Sequence, residues 1–280
     1  MSFKVIEKFI LGKSRDISKC EDRIVVTDHF ACLIDGATSK SDIDFDSKTQ
    51  GVIAGELIEK VVRSMPNDIT LPSFISEINK QFHSFYAGVG MTDHMEKHPV
   101  DKLNASLIIY SDHHNEVWSV GDCQAIIDNA FFRKTKIIDT ILSDLRAFIT
   151  ESCIRQGMST EELLIKDIGR EKILEYLKEQ TLFQNHFPDS MYSYGVLDGS
   201  PIAPTQVENI SLTGSNSPYL VLATDGYPKL FPSLSESEAY LEYILKNDPL
   251  CYHLFKSTKG LKKGNNSFDD RAYVKIERLP

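Results

Sequence analysis

Short apolar runs, some alternating with polar residues and some continuous, predict a chain rich in β-strands. The alternating run 3–11 predicts a first strand, and the runs 24–27 and 30–34 predict a hairpin around the turn Asp28-His29. The same patterns predict the remaining strands at 105–110, 116–120, 125–127, 192–197, 207–212, 219–223 and 271–276.

Apolar residues spaced three or four positions apart predict helices between these strands. Residues 46–65 form one such pattern, and a second begins at about Leu71 and ends at Gly88-Val89-Gly90. The periodicity is again helical over 137–182 and over 234–245. The stretch 91–102 is predicted to be a polar loop.

Two of the apolar runs end in the same way, with an aspartate followed by a glycine. The run 31–34 leads into Asp35-Gly36, and the run 219–224 leads into Asp225-Gly226. An Asp-Gly pair after a strand is, taken alone, most often a turn. However, Glu21-Asp22 begins one strand of the predicted hairpin and Asp35 ends the other. Antiparallel pairing therefore makes these acidic positions neighbours.

Four acidic sites lie at predicted strand ends: Glu21-Asp22, Asp35, Asp225 and Asp269-Asp270. Strands that share a sheet bring their ends to a common edge, so we expect these carboxylates to converge. Several carboxylates pack together only when they are neutralised, and oxygen-only ligation favours Mg²⁺ or Mn²⁺ over zinc. Two such ions hydrolyse phosphoesters when bridging solvent attacks and the metals hold the phosphate oxygens.

The order of the acidic motifs resembles that of the metal-dependent protein phosphatases of type 2C. Glu-Asp, Asp-Gly-x-Thr, Gly-Asp-Cys, Ala-Thr-Asp-Gly and a final Asp-Asp follow one another between residues 12 and 276. Ala37 after Asp35-Gly36 is a variation familiar from bacterial relatives. The resemblance implies an α/β fold, a four-layer α-β-β-α sandwich of two antiparallel sheets flanked by helices. It also implies one catalytic domain over 1–280, with a helical insert at about 137–182.

The resemblance assigns roles at the first metal site by position. It implies that Asp35 bridges both metals and is central to catalysis, and that the Gly36 carbonyl holds the second ion. Asp225 and Asp269 complete the first site. Asp269 is preferred over Asp270, which stays open as an alternative, because of its spacing from the last strand.

The remaining metal positions follow from the same resemblance. Glu21 and Asp22 are expected to serve the second ion. Asp122, in Gly-Asp-Cys, resembles the residue that recruits a third, weaker ion. Where the family usually has an acid after the late Asp-Gly motif, this chain has Lys229, so we expect two ions and leave the third site open.

A basic residue ahead of the Glu-Asp pair binds the substrate phosphate in the family. Arg15 is the nearest match and is taken as the catalytic, substrate-binding arginine. Its spacing differs from that of the family, so Lys13, Lys19 and Arg23 remain alternatives.

Composition and charge narrow the classes of partner. The net charge is −9, from 31 basic and 40 acidic residues, and no Lys/Arg-rich stripe is present. We therefore expect neither nucleic acid nor a membrane as partner. The five cysteines are scattered and form no CxxC pair, and the N-terminus lacks a signal-peptide core, which favours a reduced, cytoplasmic setting.

Three functions remain open at this point. The leading one is a protein serine/threonine phosphatase, with a phosphoprotein as substrate and Mg²⁺ or Mn²⁺ as cofactor. A phosphatase of small phosphoesters is the second, and a metal-binding regulatory module without turnover is the third. Other features favour packing roles: a metal-ligand role for His94 and His98 is not favoured, and Cys123 lacks the matched histidine of a nucleophile.

Overall fold

A computed structural model describes residues 3–14, 16–38, 40–41, 43, 45 and 48–279. Its strands are β1 (Phe3–Leu11), β2 (Asp22–Val26), β3 (Phe30–Gly36), β4 (Ala105–Ser111), β5 (Glu116–Val120), β6 (Gln124–Ile127), β7 (Ala130–Arg133), β8 (Val207–Ser211), β9 (Tyr219–Ala223) and β10 (Arg271–Arg278). Its helices are α1 (Gln50–Ser64), α2 (Leu71–Gly88), α3 (Thr92–Lys97), α4 (Ile137–Arg155), α5 (Thr160–Ile165), α6 (Ile168–Glu179) and α7 (Leu234–Asn247).

The strands form two antiparallel five-stranded sheets. One has the order β1-β10-β9-β6-β7 and the other has the order β2-β3-β4-β5-β8. Alternate residues of β3 explain how the layers stack. Ala31 and Leu33 pack between the two sheets, whereas Cys32 and Ile34 pack against α1 and α2. Because both faces of β3 are covered, its sequence is continuously apolar rather than alternating.

Helices complete the sandwich on the outside of each sheet. Tyr227 and Leu230 cover the outer face of the first sheet and lead into α7. Helices α4 and α6 pack on each other through Leu142, Ile173 and Leu177. The predicted α/β sandwich of two antiparallel sheets flanked by helices is confirmed. No helix in the described ranges is long and apolar enough to cross a membrane.

The prediction of a strand at 192–197 is wrong. This stretch makes only isolated bridges, between Ala105 and Leu197 and between Gln184 and Tyr194. The Asn185 side chain bonds both backbone groups of Val196, at 2.9 and 3.0 Å. A side-chain amide thus replaces the neighbouring strand that the apolar pattern suggested.

The sequence patterns did not predict two short elements, α3 and β7. The stretch 91–102 contains α3 and a turn of 3₁₀ helix rather than only a loop, and in α3 only Met95 is buried. Strand β7 is exposed along its length, so it carries no alternating pattern. Its hairpin turn, Asp128-Asn129, has φ values of 51° and 63°, a backbone conformation that aspartate and asparagine tolerate. This Asp-Asn pair is the feature of the sequence that could have indicated the hairpin.

Candidate metal centre

Three carboxylates converge where the ends of the two sheets meet. Asp35 ends β3, Asp122 lies between β5 and β6, and Asp225 follows β9. Their candidate ligand oxygens all lie within 4.8 Å of one another. The acidic strand ends therefore meet across two packed sheets, which corrects the expectation that they share the edge of one sheet.

The predicted pairing of the acidic hairpin ends is confirmed, because Asp22 lies opposite Asp35 in the β2–β3 register. Thr224 fixes this pair to the other sheet. Its hydroxyl donates to an Asp22 carboxylate oxygen at 2.6 Å and accepts from the Ala272 backbone N–H at 2.8 Å. The threonine of the Ala-Thr-Asp-Gly motif thus joins the sheets directly beneath the carboxylates.

Glycine is required at two positions beside these carboxylates, because another segment of backbone lies very close to each. A Cβ on Gly36 would lie 2.4 Å from the Gly51 carbonyl oxygen, at the start of α1. A Cβ on Gly226 would lie 2.0 Å from the Asp270 carbonyl oxygen. Both distances are too short for any side chain, so the glycines of the two Asp-Gly motifs allow Asp35 and Asp225 to reach the same point.

Glu21 lies beside the cluster and is held at both carboxylate oxygens. One oxygen accepts from the Thr49 hydroxyl at 2.8 Å. The other accepts from the Lys13 ammonium at 2.8 Å and from the Thr38 hydroxyl at 2.9 Å. Thr49 also caps α1, so the start of that helix positions the Glu21 side chain.

The two final aspartates have different surroundings. Asp270 accepts from the backbone N–H groups of Lys13, at 2.6 Å, and of Glu21, at 3.1 Å, through its two oxygens. Asp269 instead lines the cavity and forms ion pairs with Lys259 and, at 3.4 Å, with Lys13. Both Asp270 oxygens therefore bind backbone N–H groups, which favours Asp269 over Asp270 as the metal ligand.

Burial and mutual repulsion oppose ionisation of the central carboxylates. Burial raises the pKa of Asp35 well above its usual range, and the charges of Asp225, Asp22 and Asp122 raise it further. Burial, with Asp269 and Asp122, raises the pKa of Asp225 to about 6. Burial likewise raises the pKa of Asp22, although its bond from Thr224 opposes the shift. The arrangement is unfavourable for bare carboxylates and suits a bound cation.

Two basic residues that the sequence patterns did not identify lie beside the cluster, and a third, Lys259, pairs with Asp269. The Lys136 ammonium lies 3.0 Å from Asp122, and Arg133 lies 3.9 Å from Asp225. Burial would raise the pKa of Asp122, but Lys136 and Arg133 outweigh it and lower that pKa. In the same way, Lys259 and Lys13 outweigh burial and lower the pKa of Asp269.

The basic residues expected to bind phosphate differ in where they lie. Arg15 lies outside the described residues. Lys19 is 69% exposed and pairs with Asp16, and Arg23 pairs with Glu56 and Glu59 on α1 (Glu56 at 3.4 Å).

Lys13 is the alternative that lies beside Glu21 and the two final aspartates. Its ammonium lies 2.8 Å from Glu21, 3.1 Å from Asp270 and 3.4 Å from Asp269.

A cavity of about 260 Å³ opens directly above the cluster. Asp35, Asp122, Asp225 and Asp269 line it. Its lining also includes Thr140, Ser143, Arg170 and Gln180 from the predicted helical insert, Lys256 and Lys259 from the chain that follows α7, and Lys40 and Tyr194 from two other segments. Residues from the predicted insert and the carboxylates therefore line the same cavity.

A buried arginine fixes the insert in this position. Arg146, on α4, is 1% exposed and pairs with Asp167 at 2.6 Å. Its guanidinium also donates to the carbonyls of Leu250, Cys251 and Ser257 at 2.9–3.1 Å. These bonds join α4, the start of α6 and the 250–258 segment into one wall of the cavity.

Two solved structures of the serine/threonine phosphatase PstP share this architecture. PstP/Ppp from Mycobacterium tuberculosis superimposes with a TM-score of 0.51 and 13% identity, over 99% of this chain and 100% of that chain. The catalytic domain of PstP in complex with two manganese ions gives a TM-score of 0.50 and 13% identity, over 99% of each chain. The chain has the fold of these phosphatases. No protein-family model and no curated protein matches the sequence.

The other residues singled out in the sequence take packing roles within this phosphatase fold. Lys229 lies over the Phe231 ring, 4.8 Å from its centroid, and is not among the residues that line the cavity. His94 pairs with Asp101 at 2.8 Å and stacks on His98. Cys123 is 2% exposed in the core between the sheets, and burial raises its thiol pKa, as expected for packing rather than for a nucleophile.

Proposed function

We propose that the chain is a metal-dependent phosphoester hydrolase whose substrates are phosphoserine or phosphothreonine side chains of proteins. The convergence of Asp35, Asp122 and Asp225 carries this proposal, because carboxylate oxygens within 4.8 Å of one another suit Mg²⁺ or Mn²⁺. The fold it shares with PstP, one structure of which holds two manganese ions, supports it.

In this proposal Asp35 would help to hold two ions. The other ligands lie at the ends of the strands around it and are Glu21, Asp22, the Gly36 carbonyl, Asp122, Asp225 and Asp269. Ions bound there would polarise the phosphoryl oxygens and lower the pKa of the attacking water. Lys13 binds the phosphate, since its ammonium lies beside Glu21 and Asp269, and Arg15 stays the alternative.

A binding module without turnover is the second candidate, and the basic residues at the cluster favour it. Lys13, Lys136 and Lys259 already pair with Glu21, Asp122 and Asp269. These ammonium groups neutralise part of the negative charge that a metal would otherwise neutralise.

Hydrolysis of p-nitrophenyl phosphate and of a phosphoserine peptide, with Mn²⁺ and with EDTA, tests the proposal. We expect turnover of both only with Mn²⁺. A metal at 100 times its Kd contributes about 2.7 kcal/mol, so the Tm should rise by roughly 5–10 °C. Stabilisation without turnover would favour the binding module, and turnover of the small ester alone would favour a small-molecule phosphatase. The absence of both effects would contradict the metal centre.

A further inference from the structure

The lining of the cavity carries positive charges as well as the carboxylates. Lys40, Lys136 and Arg170 all line it. Lys136 is neutralised by Asp122 at 3.0 Å and by Asp139 at 3.6 Å. Lys40 and Arg170 form no ion pair with any acid among the described residues, and the Arg170 guanidinium donates to the Thr258 carbonyl at 2.8 Å.

These unpaired cations lie close enough to repel one another. Burial, followed by the charges of Arg170 and Lys136, lowers the pKa of Lys40 to about 8. Burial also lowers the pKa of Arg170, although the charges of Asp269 and Asp167 oppose this shift. Like charges gathered in a half-buried cavity are unfavourable unless an anion binds between them.

The insert holds this side of the cavity in place. Arg170 lies in the first turn of α6, and the N-cap of this helix, Asp167, is bound by the buried Arg146. Lys40 follows β3 only a few residues after Asp35-Gly36. One cation therefore lies on α6, and the other lies a few residues beyond the strand that supplies the central carboxylate.

We propose that Lys40 and Arg170 form a second anion subsite beside the metal centre, so that the preferred substrate is a phosphopeptide with another acidic group next to its phosphoester. This inference rests on the proposed phosphatase function and names its substrate class. The second group is a carboxylate or a phosphate. Lys13 and the metals would take the scissile phosphate, and Lys40 and Arg170 would take the neighbouring anion.

Binding of non-hydrolysable peptides tests the subsite without turnover. Three fluorescent peptides carry a phosphonate in place of phosphoserine and differ at one neighbouring position, which is asparagine, aspartate or a second phosphonate. Anisotropy is measured with the full chain in Mn²⁺. We expect the aspartate or bisphosphonate peptide to bind about tenfold more tightly than the asparagine peptide. Lys40→Gln and Arg170→Gln should each remove most of this preference.

Lys172→Gln is the matched control, because Lys172 is exposed on the same helix as Arg170. It should retain the preference, and melting curves should show that all three variants are folded. Equal affinities for the three peptides, a preference that survives both substitutions, or no binding at all would overturn the subsite. Turnover of phosphopeptides without the preference would leave the phosphatase proposal standing, whereas the preference without turnover would remove that proposal and keep the subsite.

Discussion

Asp35→Asn is expected to lower kcat/KM for manganese-dependent phosphoester hydrolysis by at least about 10³-fold, and to raise the Tm of the metal-free protein. Asp35 is surrounded by Asp22, Asp122 and Asp225, and its pKa is raised well above its usual range by burial and by these charges. A carboxyl group whose pKa is raised on folding destabilises the protein once it is ionised. At neutral pH the amide removes this cost along with the metal ligand.

Initial rates in Mn²⁺ and melting curves in EDTA measure the two effects. Asp144→Asn is the matched control, because Asp144 is 55% exposed on α4 and pairs only with Lys256 among the described residues. The control should change neither quantity appreciably. An Asp35→Asn variant that keeps its activity would contradict the bridging role, and one that melts at a lower temperature in EDTA would contradict the account of repulsion.

Lys13→Met is expected to lower the Tm of the metal-free protein, whereas Asp35→Asn is expected to raise it. Among the described residues, Lys13 is the only basic partner of Glu21 and Asp270. Removing one partner of a buried ion pair costs about 3–5 kcal/mol, so the Tm in EDTA should fall by roughly 6–20 °C. Mn²⁺ should restore more stability than in the wild type, because the metal supplies the missing positive charge.

Melting curves in EDTA and in Mn²⁺ test this prediction, with Lys19→Met as control because Lys19 is 69% exposed. KM for a phosphopeptide should also rise about tenfold, since Lys13 is the proposed phosphate contact. An unchanged Tm in EDTA would show that Lys13 does not neutralise the acids. An unchanged KM would return the phosphate-binding role to Arg15.

The local part of the site was predictable from the sequence. Register in a hairpin is set by the strands and their turn, so the pairing of Asp22 with Asp35 followed from the pattern. The order of the acidic motifs then indicated the sandwich. The position of Asp122 beside Asp35 and Asp225 depends on how two sheets stack, which no local pattern contains.

The basic residues that line the cavity could not be predicted from the sequence, for a different reason. Lys40, Lys136, Arg170 and Lys259 come from four separate segments, and no local pattern indicates that these segments meet. Their proximity depends on how the insert folds back over the sheets, and Arg146 fixes that arrangement through backbone carbonyls. Carbonyl acceptors are present in every residue, so the sequence does not mark them.

The metal centre is tested most directly by an anomalous difference map from crystals grown with Mn²⁺. The account predicts a peak within about 2.0–2.4 Å of an Asp35 carboxylate oxygen, with Asp225 among the other ligands. The metal would then share with Lys259 the neutralisation of the Asp269 carboxylate. A map without a peak at Asp35, in which Lys136 and Lys259 remain paired with Asp122 and Asp269, would contradict the metal centre.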